Sequence, residues 1–219
     1  MNAAAVWRGV LCLVRLSIGQ PLALRTFEDA VSAHELIASP WPHLILDDFL
    51  TSDCLAQCLS EIRADTYAFD IEPRGTGRIE YSVLRSPTMW RAIYSKRTRS
   101  ILSSAFSVEV SLNKHNMLQL RRMNGETPEF PMHNDFTSNE ATIASFLYLN
   151  EGWSHKCGGR LKLFESDGQF VPSASIAPIQ NRFIAFRTEP SHWHSVEKVY
   201  GWERMSVLSL WNIEDLGCP

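Results

Sequence analysis

No stretch of the 219 residues reaches the roughly 20 consecutive apolar residues that a membrane-spanning helix requires. The nearest approach, Ala3 to Ile18, is broken by Arg8 and Arg15. A secretory leader places its positive charge ahead of an unbroken apolar run, and Arg15 interrupts this one. The expectation is a cytoplasmic chain with an N-terminal extension, residues 1–25, ahead of a single domain, residues 26–219. Paired cysteines are also lacking. The five present (Cys12, Cys54, Cys58, Cys157, Cys218) are an odd number with no Cys-x-x-Cys, which argues against a disulfide framework and for a reducing compartment. Cys54 and Cys58 fall one helical turn apart and read as buried thiols, because two ligands do not make a zinc site. Charge of one sign is scarce: the net −3 gives no field for nucleic acid or an anionic membrane, and neither is an expected partner. The local basic run of Arg91, Lys96, Arg97 and Arg99 reads as the solvated face of a helix. Repeats and low-complexity segments are absent as well.

What is present has an ordinary globular balance, 45% hydrophobic and 21% charged, enough for one domain to bury a core without staples. Thr26 and Asp29 resemble an N-cap pair opening a helix, with Phe27, Ala30, Val31 and Ile37 at roughly helical spacing. Trp41-Pro42 breaks it, and His43 to Asp48 reads as a short strand. Thr51 or Ser52 caps a second helix lined by Leu55, Leu59 and Ile62. A third is expected from Thr88 towards Phe106, with Met89, Ile93, Tyr94, Ile101 and Leu102 on its apolar side. Between them, Tyr67 to Pro87 centres on Arg74-Gly75-Thr76-Gly77-Arg78. Those glycines match neither nucleotide-binding fingerprint, so the segment reads as a surface loop or hairpin.

From Ser107 onward the pattern changes to short strands: Val108–Leu112, Asn116–Met123, Thr142–Leu149, Arg160–Phe164, Arg182–Arg187, Ser195–Val199 and Met205–Trp211. Turn residues separate them at Asn124-Gly125, Gly158-Gly159, Asp167-Gly168, Pro178 and Gly201. Many short strands without helices between them indicate a β-sandwich or barrel. The expected layout is helices first, then one double-layered sheet.

His133-Asn134-Asp135 places an imidazole and a carboxylate two residues apart. On an extended segment, residues i and i+2 project to the same face, so both can reach one ion. Ser191 to Val196 (Ser-His-Trp-His-Ser-Val) offers a third ligand, His192 or His194. Two imidazoles and one carboxylate on one octahedral face leave three positions open, as non-haem Fe(II) oxygenases need. Arg204 stands ten residues beyond His194, with Ser206 two further on. A buried arginine fork there can bind a carboxylate in bidentate fashion, with the serine as a further donor.

These motifs come in a recognisable order. Leu118-Gln119-Leu120-Arg121-Arg122 leads to Asn124-Gly125, then to His133-Asn134-Asp135, Tyr148-Leu149-Asn150 and Gly158-Gly159-Arg160-Leu161. Asn181 to Phe186, His194-Ser195-Val196 and Gly201 to Ser206 follow. From about Leu118 to Trp211 the chain resembles the prolyl-4-hydroxylase-type branch of the Fe(II)/2-oxoglutarate-dependent dioxygenase superfamily, and Pro42 to Leu50 resembles the family's entry strand.

The resemblance implies a double-stranded β-helix, a jelly roll backed by N-terminal supporting helices. It makes His133, Asp135 and His194 the iron ligands and Arg204 the partner of the distal carboxylate of 2-oxoglutarate, with Tyr148 and Ser206 as further cosubstrate contacts. The spacing to Arg204 and the following Ser195-Val196 favour His194 over His192, although strand periodicity would put both on one side. His34, His43, His115 and His155 read as structural or exposed. Met123 stands where relatives usually carry a tyrosine, arginine replaces the lysine of the collagen-type enzymes, and Trp211 falls one residue later than usual after Arg204.

The implied reaction couples oxidative decarboxylation of 2-oxoglutarate by O₂ to oxidation of an unactivated C–H bond, with Fe(II) as cofactor and ascorbate as stimulant. Retention of Asp135 points to hydroxylation, because related halogenases lack that carboxylate. The substrate expected for a compact single domain is a small molecule, either an amino acid or a natural-product intermediate. The alternatives are a prolyl or other residue in a peptide or protein, or a non-catalytic metal-binding jelly-roll module. Substrate selection is expected from Arg74, Arg78 and Tyr81 in the Tyr67–Pro87 segment, with Arg85 beside them, and from the loop Phe136–Ala141.

Overall fold

The computed structural model describes residues 36–74, 77–112, 118–136 and 142–214. The expected N-terminal extension and the helix opening at Thr26 lie outside them. In chain order come β1 (His43–Leu46), α1 (Ser52–Ala64), β2 (Asp70–Arg74), β3 (Gly77–Val83), α2 (Pro87–Ile93), α3 (Lys96–Phe106), β4 (Glu109–Leu112), β5 (Gln119–Met123) and β6 (Phe130–His133). Then follow β7 (Thr142–Tyr148), β8 (Leu161–Phe164), β9 (Ala174–Ile176), β10 (Phe183–Arg187), β11 (Trp193–Val196) and β12 (Arg204–Glu214).

Eight strands form one sheet in the order β1-β10-β7-β12-β5-β3-β2, with β4 also paired to β12; four form a second, β6-β11-β8-β9. This is the jelly roll with supporting helices. Its logic is visible along β12. Met205, Val207, Trp211 and Ile213 join the core between the large sheet and the helices, while Leu208 and Leu210 join the core between the sheets. Period-two alternation therefore turns Arg204 and Ser206 towards the small sheet. Every residue of β7 is buried, as a strand covered on both faces must be, which is why its sequence shows no polar alternation. The register of the last strand is settled by Trp211, which is fully buried on the helix side with its Nε1 donating to Ser145 Oγ at 3.2 Å.

The helices follow the expected caps. Thr51 Oγ1 accepts from Cys54 N at 3.2 Å and starts α1, which buries Cys58 and Ile62 with Leu55 and Leu59 packed alongside. Cys54, Cys58 and Cys157 are free thiols. The single helix expected from Thr88 to Phe106 is instead two. Ser95 is extended and N-caps α3, its Oγ accepting from Thr98 N at 3.1 Å, and Thr98 Oγ1 donates back to Ala92 O at 3.0 Å. The apolar spacing runs across this corner because both helices cover the same sheet face, with Met89, Ile93, Ile101 and Leu102 all buried in one cluster. The basic run is mostly solvated, as expected: Arg91, Lys96 and Arg99 are exposed and Arg97 is half-buried. Among the described residues no helix is long and apolar enough to cross a membrane.

Glu61 at the end of α1 holds the start of α2. It accepts from Ser86 Oγ at 2.6 Å, Thr88 Oγ1 at 2.5 Å and Thr88 N at 3.1 Å. Burial works to raise its pKa, but hydrogen bonds from Ser86, Thr88 and Gln57 outweigh that and bring it from 4.5 down to about 2. The sign follows by linkage: the carboxylate stabilises the fold fully above its unfolded value and loses that contribution as pH falls through about 2. Glu61→Gln is expected to cost about 1–2 kcal/mol at neutral pH by urea denaturation, the worth of a helix-terminal cap. The gap to the parent should narrow steadily once the pH drops below 4.5. A gap independent of pH would show that charge at this position is irrelevant.

Candidate active site

β6 and β11 are neighbours in the small sheet, and their register sets His133 opposite His194. The two imidazoles lie with ring centroids 4.2 Å apart. Each ring is oriented through Nδ1, which bonds a backbone carbonyl: Pro131 O at 2.8 Å for His133, and His192 O at 3.0 Å for His194. That assigns the proton to Nδ1 and leaves both Nε2 lone pairs facing the same point. Asp135, two residues past His133, supplies the third group, with Oδ1 3.6 Å from His133 Nε2 and Oδ2 3.4 Å from His194 Nε2. The ligand atoms of His133, Asp135 and His194 all lie within 4.8 Å of one another, close enough to hold one metal ion.

The protonation state suits a metal. Burial, with the neighbouring His194 imidazole adding to it, lowers the His133 pKa to about 4, so its ring is neutral at pH 7. Burial would raise the Asp135 pKa, but the contacts with His194 and His133 and the nearby Arg121 guanidinium prevail and hold it well below the usual carboxylate range. His192 stands apart. It precedes β11, its Nδ1 bonds Arg187 O at 2.6 Å, and its ring stacks on Trp41 at 4.6 Å. The expectation that strand parity would put His192 and His194 on one side fails because the strand begins only at Trp193. His155 is exposed and His43 is buried with Nδ1 bonded to Trp41 O; neither joins a ligand cluster, and His34 and His115 lie outside the described residues.

Arg204 is 5% exposed. Its Nε donates to Gly159 O at 3.0 Å, one terminal nitrogen to Tyr148 Oη at 3.2 Å, and the other approaches Ser206 Oγ at 3.5 Å. Its bonded partners among the described residues are thus all neutral. The guanidinium also lies over the Tyr148 ring, 4.8 Å from its centroid. The Gly158-Gly159 turn makes this possible. Gly159 has φ +72, and a Cβ there would sit 3.3 Å from Arg204 Cδ; one on Gly158 would sit 2.1 Å from Lys198 O. Sequence reasoning saw only a turn in these glycines and missed that Gly159 anchors the arginine.

One cleft is lined by His133, Asp135, His194, Tyr148, Arg204 and Arg121, among others. Residues 118–211 match the sequence model of the family described as the 2OG-Fe(II) oxygenase superfamily. Over this segment the chain is similar to that superfamily. No curated protein matches it. Among solved structures, an oxidoreductase of the 2OG-Fe(II) oxygenase family from Burkholderia pseudomallei is 17% identical, with a TM-score of 0.62 over 78% of this chain and 84% of that one. A prolyl 4-hydroxylase from Phytophthora capsici is 22% identical, with a TM-score of 0.60 over 81% of this chain and 60% of that one. The epimerase SnoN, solved with Fe3+, alpha ketoglutarate and nogalamycin RO, is 14% identical, with a TM-score of 0.59 over 78% of each chain.

The segment expected to select substrate is a hairpin, and β3 lines the cleft through Arg78, Ile79 and Glu80. A Cβ on Gly77 would meet Pro131 Cδ at 2.6 Å and Glu129 O at 2.9 Å, so the start of β3 packs on the strand that carries His133. Arg78 is committed to Glu80 at 2.9 Å, and Arg85 to Asp65 at 2.7 Å. Glu80, 4% exposed, also takes Arg122 at 3.0 Å, and these bonds hold its carboxyl pKa down against its burial. Tyr81 pairs with Arg121. Arg74 pairs with Gly77 through the backbone; Gly75, Thr76 and residues 137–141 lie outside the described residues.

Proposed function

We propose that this 2OG-dependent oxygenase holds one Fe(II) on His133, Asp135 and His194, and the distal carboxylate of 2-oxoglutarate on Arg204. The reaction is hydroxylation of an unactivated C–H bond of a small molecule, an amino acid or a natural-product intermediate, with O₂ as oxidant. One observation carries the reading. A buried arginine whose bonded partners among the described residues are all neutral opens onto the same cleft as a two-imidazole, one-carboxylate cluster. A cation so placed calls for an anionic partner, and a carboxylate matches its fork.

The donor set fits the metal. Two imidazoles and one carboxylate favour a first-row transition-metal ion such as Fe(II) over magnesium or calcium, which take all-oxygen sites. When bound, iron would activate O₂, the oxidant, with 2-oxoglutarate supplying two electrons as it is decarboxylated to succinate. The protein orients. Pro131 O and His192 O fix the imidazole tautomers, while Gly159 O, Tyr148 and Ser206 hold the guanidinium plane. Phe130 and Phe186 pack edge-on against His133 and His194 and keep water from the ligands' outer side. The likeness to prolyl 4-hydroxylases makes a peptide the second substrate reading.

The purified chain should consume 2-oxoglutarate slowly in the presence of Fe(II), O₂ and ascorbate without any added substrate, since the proposed iron ligands and Arg204 line one cleft. Succinate release, quantified by chromatography, checks this. Complete absence of succinate, with Fe(II) supplied in excess, would contradict the proposed reaction.

A further inference from the structure

Of the three groups in the metal cluster, Asp135 is the one that the sheet holds least. The side chain of His194 is 3% exposed and that of His133 24%, against 39% for Asp135. β6 ends at His133, whose pairing with His194 is the last rung on that side of the ladder. Asp135 therefore stands beyond the strand, where no backbone ladder fixes its direction. Its carboxylate nevertheless faces both imidazoles, and a ligand outside a strand needs another restraint to stay in place.

The side chain between the two ligands supplies one. Asn134 Oδ1 accepts from Phe136 N at 3.3 Å. That bond closes an Asx turn around Asp135, so the backbone of the ligand sits inside a ring fastened at both ends. Asn134 Nδ2 donates in the opposite direction, to Pro190 O at 3.1 Å. Pro190 belongs to the turn that leads into β11, itself closed by His192 N to Glu189 O and Trp193 N to Ser191 O, each at 3.0 Å. One side chain thus ties the segment carrying Asp135 to the segment that delivers His194. Only a carboxamide does both: its oxygen accepts and its nitrogen donates, whereas a carboxylate cannot donate and a serine is too short to span the gap.

We propose that Asn134 is a positioning residue of the metal site, holding Asp135 towards the two imidazoles through this two-way clip. The proposal rests on the reading of His133, Asp135 and His194 as metal ligands. It assigns Asn134 no contact with the metal or with substrate. Its effect passes through Asp135 alone, and that is what separates it from a general stabilising contact.

The test is calorimetric titration of the metal-free full chain with Ni(II), chosen because two imidazoles alone keep measurable affinity for it. Asn134→Ala should weaken Ni(II) binding about tenfold, the cost of losing a group that orients a ligand. Asn134→Ser keeps an acceptor for Phe136 N but loses Pro190 O, and should fall between parent and alanine. The deciding measurement repeats both replacements in Asp135→Ala. With no carboxylate left to position, each should change Ni(II) affinity by less than about twofold. Thermal unfolding without metal confirms that the variants fold, and Asn134→Ser carries the same comparison if Asn134→Ala does not. Parental affinity in the Asn134 variants, or a loss that persists in full in Asp135→Ala, would overturn the proposal. Equal Ni(II) affinity in the parent and His194→Ala would instead refute the metal assignment, and this proposal with it.

Discussion

Replacing His194 with alanine is expected to abolish 2-oxoglutarate turnover and weaken metal binding by well over 100-fold, since changes that only support a ligand already cost 10- to 100-fold. Its Nε2 is 3.4 Å from Asp135 Oδ2, and no other imidazole among the described residues stands in reserve. His192→Ala should behave differently. The alanine retains the backbone carbonyl that receives His194 Nδ1, so the ligand geometry survives. What is lost is the stack on Trp41 and the bond to Arg187 O, a packing loss on the order of 2–3 kcal/mol. The expected signature is a lower melting temperature with metal affinity changed by about threefold or less. Calorimetric titration with Fe(II) under anaerobic conditions reads both. Loss of metal in His192→Ala with retention in His194→Ala would reverse the assignment.

Arg204→Ala should raise the KM for 2-oxoglutarate by about two decades or more while leaving Fe(II) affinity largely intact. Truncating one member of a buried, hydrogen-bonded charge pair costs on the order of 2–5 kcal/mol. Arg204→Lys should fall between parent and alanine, because lysine keeps the charge but cannot reach Gly159 O, Tyr148 and Ser206 together. Removing only the Tyr148 hydroxyl, as in Tyr148→Phe, should cost about tenfold or less, since the stacked ring remains. Steady-state kinetics across a range of 2-oxoglutarate concentrations measures all three. An unchanged KM in Arg204→Ala would place the carboxylate elsewhere.

Much of this site could be read before any coordinates. The i, i+2 spacing of His133 and Asp135 and the interval from His194 to Arg204 each reflect strand geometry, which sequence reports directly. Other parts were hidden for physical reasons. Strand periodicity alone could not separate His192 from His194, because the turn that closes on Glu189, through His192 N to Glu189 O at 3.0 Å, delays the start of β11 to Trp193, and Pro190 marks the turn but not the residue at which the strand begins. The corner at Ser95 was invisible because the apolar spacing continued across it. β9, only three residues long, offers too little periodicity to find. Arg121 lies in the middle of a motif run, and nothing local tells which face of β5 it takes. That depends on pairing with β3 and β12, from residues 40 positions upstream and 85 downstream.

The central claim is that one iron and one 2-oxoglutarate share the cleft between His133, Asp135, His194 and Arg204. Anaerobic addition of 2-oxoglutarate to the Fe(II)-loaded chain, followed by visible absorption, tests it most directly. A keto acid chelating Fe(II) at an open-faced site gives a weak charge-transfer band that neither component produces alone. The account predicts this band at one equivalent of each, its absence in His194→Ala, and its appearance only at much higher 2-oxoglutarate in Arg204→Ala. No band from the parent, or a band undisturbed in His194→Ala, would contradict it.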